Sequence, residues 1–466
     1  MKVVLFFLLS FLAGCAVGPD YKKPEVEEVP DKFMETKIQW IEAKPNADID
    51  RGEWWKIYKD AVLNELEDKL NNNNQNIISA NHSYKAAMAL VKQAKASYLP
   101  SVAATYDVSK QREKNNNNNG SASSSITKDH SLGLSTSWEL DLWGSIGYKL
   151  KADVASAEYS KADWASIKLS MQSSLAQYYF ELRAADINQN ILDNIVKANK
   201  AILTYNENQY KFGIIDKSDL YNAQNNYHNS QTDSLNNQSY RAQYQHAIAV
   251  LIGESPSVFS LKNNHKNDDI EILVPVTMPS VLLQRRPDIA KSEKLVAQSN
   301  AQIGTSKTAF FPSLTLGASS NFTGSGLGNL LSLPNLTWSV GPQLALGLFD
   351  GGLRFAQIEN AKETYYANVA AYKQTVLSAF SDVEDQLSSL KSLQDQVKLQ
   401  KKISNNNADI LKQTNRQYNV GIIDYASVLN AKISYLNSNK TLSDIIKSKR
   451  LAEINLIKAL GGGWKQ

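Results

Sequence analysis

Residues 209–224 read QYKFGIIDKSDLYNAQ and residues 417–432 read QYNVGIIDYASVLNAK. Gln209, Tyr210, Gly213, Ile214, Ile215, Asp216, Asn222 and Ala223 return as Gln417, Tyr418, Gly421, Ile422, Ile423, Asp424, Asn430 and Ala431, at a constant offset of 421 − 213 = 208 residues. A period this long is not that of a solenoid; it makes the chain two similar halves, each bent at this point. The bend can be read locally. Helix-compatible sequence ends at Gly213 and at Gly421, and glycine takes the left-handed backbone that follows a helix C-terminus at no steric cost. Three residues on, Asp216 and Asp424 stand where the next helix should start and can accept its free N–H groups. The two isoleucines between them form an apolar pair on the tip of a helical hairpin, where a docking surface is expected.

Outward from the bend the helices are long. From about Lys149 to Phe212 there is neither Pro nor Gly, roughly 64 residues, or about 95 Å at ~1.5 Å per residue. Leu169, Leu175, Leu182, Ile191 and Ile195 keep helical spacing between polar faces, so such a helix must pack on neighbours in coiled-coil fashion. A return helix runs to about Gly253, closing a helical hairpin over 145–253. Residues 254–279, with Pro256, Pro275 and Pro279, read as the linker between halves. The second helical hairpin covers 351–460, followed by a tail, 461–466. Shorter helices open each half, at 60–99 and 280–308; the Asn71–Asn74 run is poor helix material and is expected to split the first of them.

Between the short and long helices the hydropathy period falls from 3.6 to 2. These segments, 100–144 and 309–350, read as β-hairpins. In the first, Val102, Ala104, Tyr106 and Val108, then Leu132, Leu134, Trp138, Leu140 and Leu142 take even positions. Ser131, Gly133, Ser135, Ser137, Glu139 and Asp141 take odd ones. Strands are expected at 102–108 and 131–143 around a solvated Asn/Ser-rich loop, 110–130. In the second, strands at 313–322 and 336–349 flank a loop at 323–335, with Leu314, Leu316, Phe322, Leu336, Trp338, Val340, Leu344, Leu346 and Leu348 on even positions. Strands of about 10 residues, apolar on one face and small and polar on the other, suit a tilted membrane β-strand with lipid outside and water inside. Four strands cannot close a barrel, and an open edge cannot sit in lipid. Three chains supply twelve strands, an even number in the range of such barrels. The long helices are too polar for the bilayer and are expected to project into the periplasm.

Composition sets outer bounds. Of 466 residues, 42% are hydrophobic and 21% charged, which excludes a disordered chain or a polytopic helical membrane protein. A net charge of +4 gives no reason to expect nucleic acid. His82, His130, His228, His246 and His265 show no ligand spacing, and no nucleophile, phosphate-loop or metalloenzyme motif occurs, so an enzyme is not expected. Asp382-Val383-Glu384-Asp385 reads as a solvated helix face. The single cysteine excludes an intrachain disulfide. It follows Met1-Lys2, an apolar run from Val3 to Leu12, and Leu12-Ala13-Gly14. This is a secretory-signal layout over residues 1–14, and Leu-Ala-Gly-Cys resembles the bacterial lipobox. That resemblance implies a covalent lipid on Cys15, no other cofactor, and, with Ala16 next, sorting to the outer membrane. A multi-chain lipid holds firmly to a bilayer. Residues 15–59 then read as an extended strap, closed by Trp54-Trp55.

GPDYKKP (18–24), WELDLWG (138–144), LLQRRPDI (282–289), AFFPSLTL (309–316), GLFDGG (347–352) and KALGGGWKQ (458–466) span the chain. With them the chain resembles outer-membrane efflux proteins of the TolC superfamily, in the OprM/NodT-type lipoprotein branch. The resemblance implies a mixed membrane α/β fold. A homotrimer shares a 12-stranded β-barrel, four strands per chain, continuous with a long periplasmic α-helical barrel; strap, linker and tail form an equatorial region. It implies a passive exit duct for drugs and toxic small molecules, fed by a periplasmic adaptor and an inner-membrane RND-type transporter. Adaptor contact is then expected at Gly213, Ile214, Ile215, Gly421, Ile422 and Ile423. A periplasmic gate is expected at Asp216, Asp219, Tyr418, Asp424, Ser427 and Asn430, because Asp219 and Tyr418 match residues that link neighbouring hairpins in closed family members. Ser427 and Asn430 depart from the family, which often carries acids there. Any acidic ring must draw on Asp216, Asp219 or Asp424, three copies of which would give a strong local field. Two alternatives stay open: a duct for metal cations or for type I protein secretion, and a structural periplasmic lipoprotein without a pore. The strand alternation counts against the second.

Overall fold

The computed structural model describes residues 17–25, 33–34, 52–116, 122–264 and 285–463. The signal 1–14, Cys15, most of the strap, the linker from 265 to 279 and residues 464–466 lie outside the described residues. In chain order the elements are α1 (Ala61–Asn73), α2 (Gln75–Ala96), β1 (Ser101–Asn116), β2 (Ala122–Leu140), α3 (Ser145–Lys211), α4 (Lys217–Leu251), α5 (Pro287–Thr308), β3 (Ser313–Gly324), β4 (Leu336–Ala345), α6 (Leu353–Asn419) and α7 (Tyr425–Ala459). A 3-10 helix, Trp54–Tyr58, precedes α1. The duplication is plain in the lengths: α3 and α6 have 67 residues each, α4 and α7 have 35, α2 and α5 have 22. The offset is 353 − 145 = 425 − 217 = 208 from the long helices on, but 287 − 75 = 313 − 101 = 212 before them. The first half is thus four residues longer, and the surplus falls in its strand hairpin.

By contacts the chain forms two compact units. One gathers Met1–Glu25, Ser83–Ser160 and Lys291–Tyr372 and holds the strands; the other gathers Val26–His82, Lys161–Ala290 and Lys373–Gln466 and holds the helical tips.

In the strand unit one antiparallel sheet runs β1-β2-β3-β4. Its register pairs even residues with even: Ala104 with Leu134, Leu134 with Ser320, Ser320 with Trp338. Side chains alternate faces along a strand, so all four apolar columns lie on one face. Two expectations need correction. The segment 110–130 is not one loop: β1 continues to Asn116 and β2 begins at Ala122. Backbone pairing with an antiparallel partner holds this ribbon together without an apolar pattern. At the other edge β4 ends at Ala345 rather than 349. Among the described residues it has no partner on its outer side, and the Gly347 carbonyl instead accepts the Arg354 guanidinium at 2.6 Å. Carboxylates turn the chain from strand to helix. Asp141 accepts the N–H groups of Ile146 at 2.9 Å and Gly147 at 2.8 Å to start α3, and Asp350 accepts that of Gly352 at 3.0 Å before α6. The GPDYKKP segment lies along α5: Asn300 donates to the Pro19 carbonyl at 3.3 Å and the Tyr21 hydroxyl to Glu293 at 3.3 Å. A side chain on Gly18 or Gly304 would collide with the Tyr148 ring.

In the helical unit the core gathers Trp54, Trp55, Leu63, Leu70, Leu175, Tyr179, Ile248, Val383, Leu387 and Ile457, each aliphatic side chain contributing roughly 1.5–3 kcal/mol by burial. Toward the tips the helices meet through polar side chains. Gln189 of α3 donates to Ser234 of α4 at 2.7 Å, Asn188 of α3 to Asp444 of α7 at 3.0 Å, and Gln400 of α6 to the Ser438 carbonyl of α7 at 2.9 Å. Asn74 separates α1 from α2, its amide oxygen accepting the N–H groups of Asn76 at 3.0 Å and Ile77 at 3.1 Å. Asp382 corrects another expectation. It pairs with buried Arg286 at 2.9 Å, and Arg286 also pairs with Asp288 at 2.7 Å and donates to the Ala379 and Ala459 carbonyls. Arg286 of the LLQRRPDI motif is therefore a staple for α5, α6 and α7. The tail is tied to it as well, with Arg285 donating to the Gly463 carbonyl at 2.6 Å.

Candidate functional site

The two bends are built alike. Gly213 and Gly421 have φ of +70° and +75°. At the first, the N–H of Gly213 bonds the Tyr210 carbonyl at 2.9 Å and that of Ile214 bonds the Gln209 carbonyl at 2.9 Å; at the second, Gly421 bonds Tyr418 at 2.9 Å and Ile422 bonds Gln417 at 3.0 Å. Both are Schellman closures, which need the left-handed residue that glycine supplies. Asp216 then caps α4, accepting from Ser218 N–H at 2.8 Å, Asp219 N–H at 3.1 Å and the Ser218 hydroxyl at 2.6 Å. Asp424 caps α7 through Ser427 N–H at 2.8 Å. The Ser218 hydroxyl and the two N–H groups hold the Asp216 carboxyl below the usual carboxylate range, and the Ser427 hydroxyl and N–H do the same for Asp424.

The isoleucine pairs are not uniform. Ile214 and Ile422 are 66% and 71% exposed, whereas Ile215 and Ile423 are half-buried. The sequence reading missed their outward companions: Phe212 is 80% exposed and Val420 70%. Each occupies the residue before the glycine, a signal that was visible beside the repeat. Each tip therefore presents two large apolar side chains. The gate candidates stay within their own hairpins. Asp219 is exposed in the first turn of α4. The Tyr418 ring lies 5.3 Å from that of Tyr425 at 45°; Tyr425 stands where the first copy has Lys217, which lies 5.3 Å over the Tyr221 ring. Ser427 is spent on the cap, and Asn430 is exposed with its carbonyl accepting from Ser434 at 3.0 Å. Among the described residues no hydrogen bond or ring contact joins one tip to the other.

The second surface is the sheet. On its even face Val102, Val340, Trp338 and Leu344 are 74%, 72%, 71% and 67% exposed. The odd face carries hydroxyls, amides and glycines, with Ser131 bonded to Asn321 at 2.9 Å and Ser319 to Ser339 at 2.9 Å. No helix among the described residues is long and apolar enough to cross a membrane. Among the described residues the sheet is free along the outer sides of β1 and β4.

Comparison with known proteins gives the same assignment. The sequence model described as outer membrane efflux protein matches residues 66–254 and again 278–462, once per half. The chain is 28% identical over 461 residues to the probable efflux pump outer membrane protein TtgC of Pseudomonas putida, covering 97% of this chain and 93% of that one. It is 25% identical over 466 residues to the cation efflux system protein CusC of Escherichia coli O6:H1, covering 100% and 99%. The solved outer-membrane channel OprN superposes with a TM-score of 0.82 at 26% identity, over 97% of this chain and all of that one. A duplicated chain with twin glycine-capped bends and a four-stranded sheet bare on its apolar face, matched by this family in both halves, belongs to the outer membrane efflux proteins.

Proposed function

We propose that three copies of this chain close into one duct that carries small toxic molecules out through the outer membrane. The observation that carries this reading is the sheet. Its apolar face is uncovered, its opposite face is polar, and the outer edges of β1 and β4 are free. Backbone N–H and C=O groups cannot remain unpaired in lipid. β4 of one chain pairing with β1 of the next, three times, removes every edge and gives twelve strands with water inside. The duct is passive, and the energy comes from an RND-type inner-membrane transporter. A periplasmic adaptor docks at the tips through Phe212, Ile214, Val420 and Ile422, with Gly213, Gly421, Ile215 and Ile423 setting the shape beneath them. The gate residues Asp216, Asp219, Tyr418, Asp424, Ser427 and Asn430 lie at the same end, and a lipid on Cys15 holds the chain to the membrane.

Purified protein in a planar bilayer is expected to give single-channel conductance in units that need three chains; a protein that never conducts overturns the duct. A metal-cation cargo is the competing reading, favoured by the match to CusC along the whole chain. A deletion strain that retains the adjacent transporter separates the two. Sensitivity to dyes and antibiotics supports the first, and sensitivity to metal salts alone supports the second.

A further inference from the structure

Sorted by strand parity, the charges of the first hairpin separate by sign. Lys110, Arg112, Lys114 and Lys128 stand on even positions, on the apolar face; Asp107, Glu113, Asp129 and Glu139 stand on odd ones. The second hairpin has no charged residue from Ala309 to Phe349.

The register fixes the height of the basic group. On β2 the even column runs Leu140, Trp138, Thr136, Leu134, Leu132, His130, which is 140 − 130 = 10 residue steps. That is ~34 Å of strand, or ~25 Å across a membrane at the usual tilt, the height of a membrane barrel's apolar band. His130 ends the column; it is buried and hydrogen-bonded to the Tyr106 hydroxyl at 2.8 Å. Beside it β3 ends at Gly324, where an added β-carbon would meet Leu330 of the following loop at 3.7 Å. The next even row is Lys110 directly opposite Lys128, and the row after it is Arg112 opposite Ile126. The cluster thus begins one row, about 7 Å of strand, beyond the apolar band. The opposite ends of β1, β2 and β3 join α2, α3 and α5, so with the helices on the periplasmic side this rim lies at the cell exterior.

Like charges directly opposite each other across a strand pair are destabilising. The acids on this ribbon face the other way, and among the described residues Arg112 donates to the Ser124 hydroxyl alone, at 3.2 Å. Among the described residues no strand lies beside the Lys110–Lys128 row, because β2 pairs with β3 only as far as His130. The row just below pairs Val108 with His130, and Ile126 beside Arg112 is 61% exposed. We propose that Lys110, Arg112 and Lys128 hold the phosphate groups of the glycolipid in the outer leaflet, whose acyl chains lie on the apolar band beneath. The guanidinium grips a phosphate with paired N–H groups while the two ammonium groups act as point charges.

The test uses the full-length assembled protein in vesicles of phosphatidylcholine mixed with either diphosphoryl lipid A or the same lipid with both phosphates removed. Lipid retained on the intact protein after release is counted by native mass spectrometry. The wild type should retain the phosphorylated form on the order of 10- to 100-fold better, as expected for three basic groups at an anionic surface. Lys110→Gln/Arg112→Gln/Lys128→Gln should lose the preference while conductance is unchanged. Asp107→Asn/Asp129→Asn, on the other face, should keep it. If the triple variant fails to assemble, Lys128→Gln alone should weaken the preference and Lys128→Arg restore it. Equal retention of the two lipids by the wild type, or equal loss in both multiple variants, overturns the proposal. Displacement by inorganic phosphate also overturns it, since the site would then take free anion. So does preference for an acidic soluble protein over lipid A.

Discussion

The two helical tips and the two strand hairpins come from the same duplication, yet they have diverged to very different degrees. The tips keep the same glycine, the same pair of closing hydrogen bonds and the same aspartate cap. The hairpins differ in length, in charge and in their outer ends: β1–β2 projects as a charged ribbon, and β3–β4 ends in an uncharged loop with exposed Leu327, Leu331 and Leu333. A bend is held by backbone geometry that few residues satisfy. A strand needs only alternation and a partner, so its reach and its charges are free to answer to what surrounds it.

The sharpest way to break this contrast is to place a charge on each face of the sheet. Leu134→Lys faces even and should prevent insertion, since a cation at the bilayer midplane costs roughly 2–4 kcal/mol in each copy. Ser135→Lys faces odd and should insert normally while shifting conductance toward anions. Heat-modifiable migration of the trimer and bilayer recordings would read both, and equal behaviour would erase the face assignment. Next in size is the equivalence of the tips as docking surfaces. Ile214→Ser with Ile422→Ser should abolish transport-dependent resistance with trimer and insertion intact, and either single change should retain part of it. Full resistance in the double variant would remove the tips from docking. Gly213→Val should cost roughly 1–2 kcal/mol at the bend, because a β-carbon is strained in the left-handed region. Gly421→Val should match it, and Gly341→Val, whose added carbon meets open space, should cost little. Hydrogen exchange in the first turns of α4 and α7 measures the local loss. The smallest effect concerns pH. Both capping carboxyls are held below their ordinary range, so their contribution is present above that range and lost as pH falls through the lowered values. Protection at both tips should therefore be unchanged from about pH 7 to about pH 5 and fall only in stronger acid. Loss at one tip alone near neutral pH would show that the copies are not equivalent.

The features legible in the sequence are those set by neighbours in the chain. Gly213 and Asp216 announce closure and cap within four residues, and the period-2 columns assign the sheet's faces. Strand ends beyond the apolar band were not legible from hydropathy, because apart from Ala122 and Ile126 both faces of 109–116 and 122–129 are polar there. The pattern is one of sign, Lys110 and Lys128 against Asp107 and Asp129, and only sorting charge by parity reveals it. The link from Arg286 to Asp382 spans 96 residues, and no local rule pairs them. Nor does any show that Ile215 and Ile423 turn partly inward.

The free outer edges of β1 and β4 also carry a genetic consequence. A joint of β4 onto β1 is head-to-tail, and such joints close a ring only when every member offers both edges. A chain with one edge ruined can still be taken into the ring and spoil it. Co-expressed at equal levels with the wild type, it would leave only about one trimer in eight free of the defect. Mutations on the outer sides of β1 or β4 should therefore act dominantly, whereas changes that keep the chain from ever reaching the membrane should be recessive.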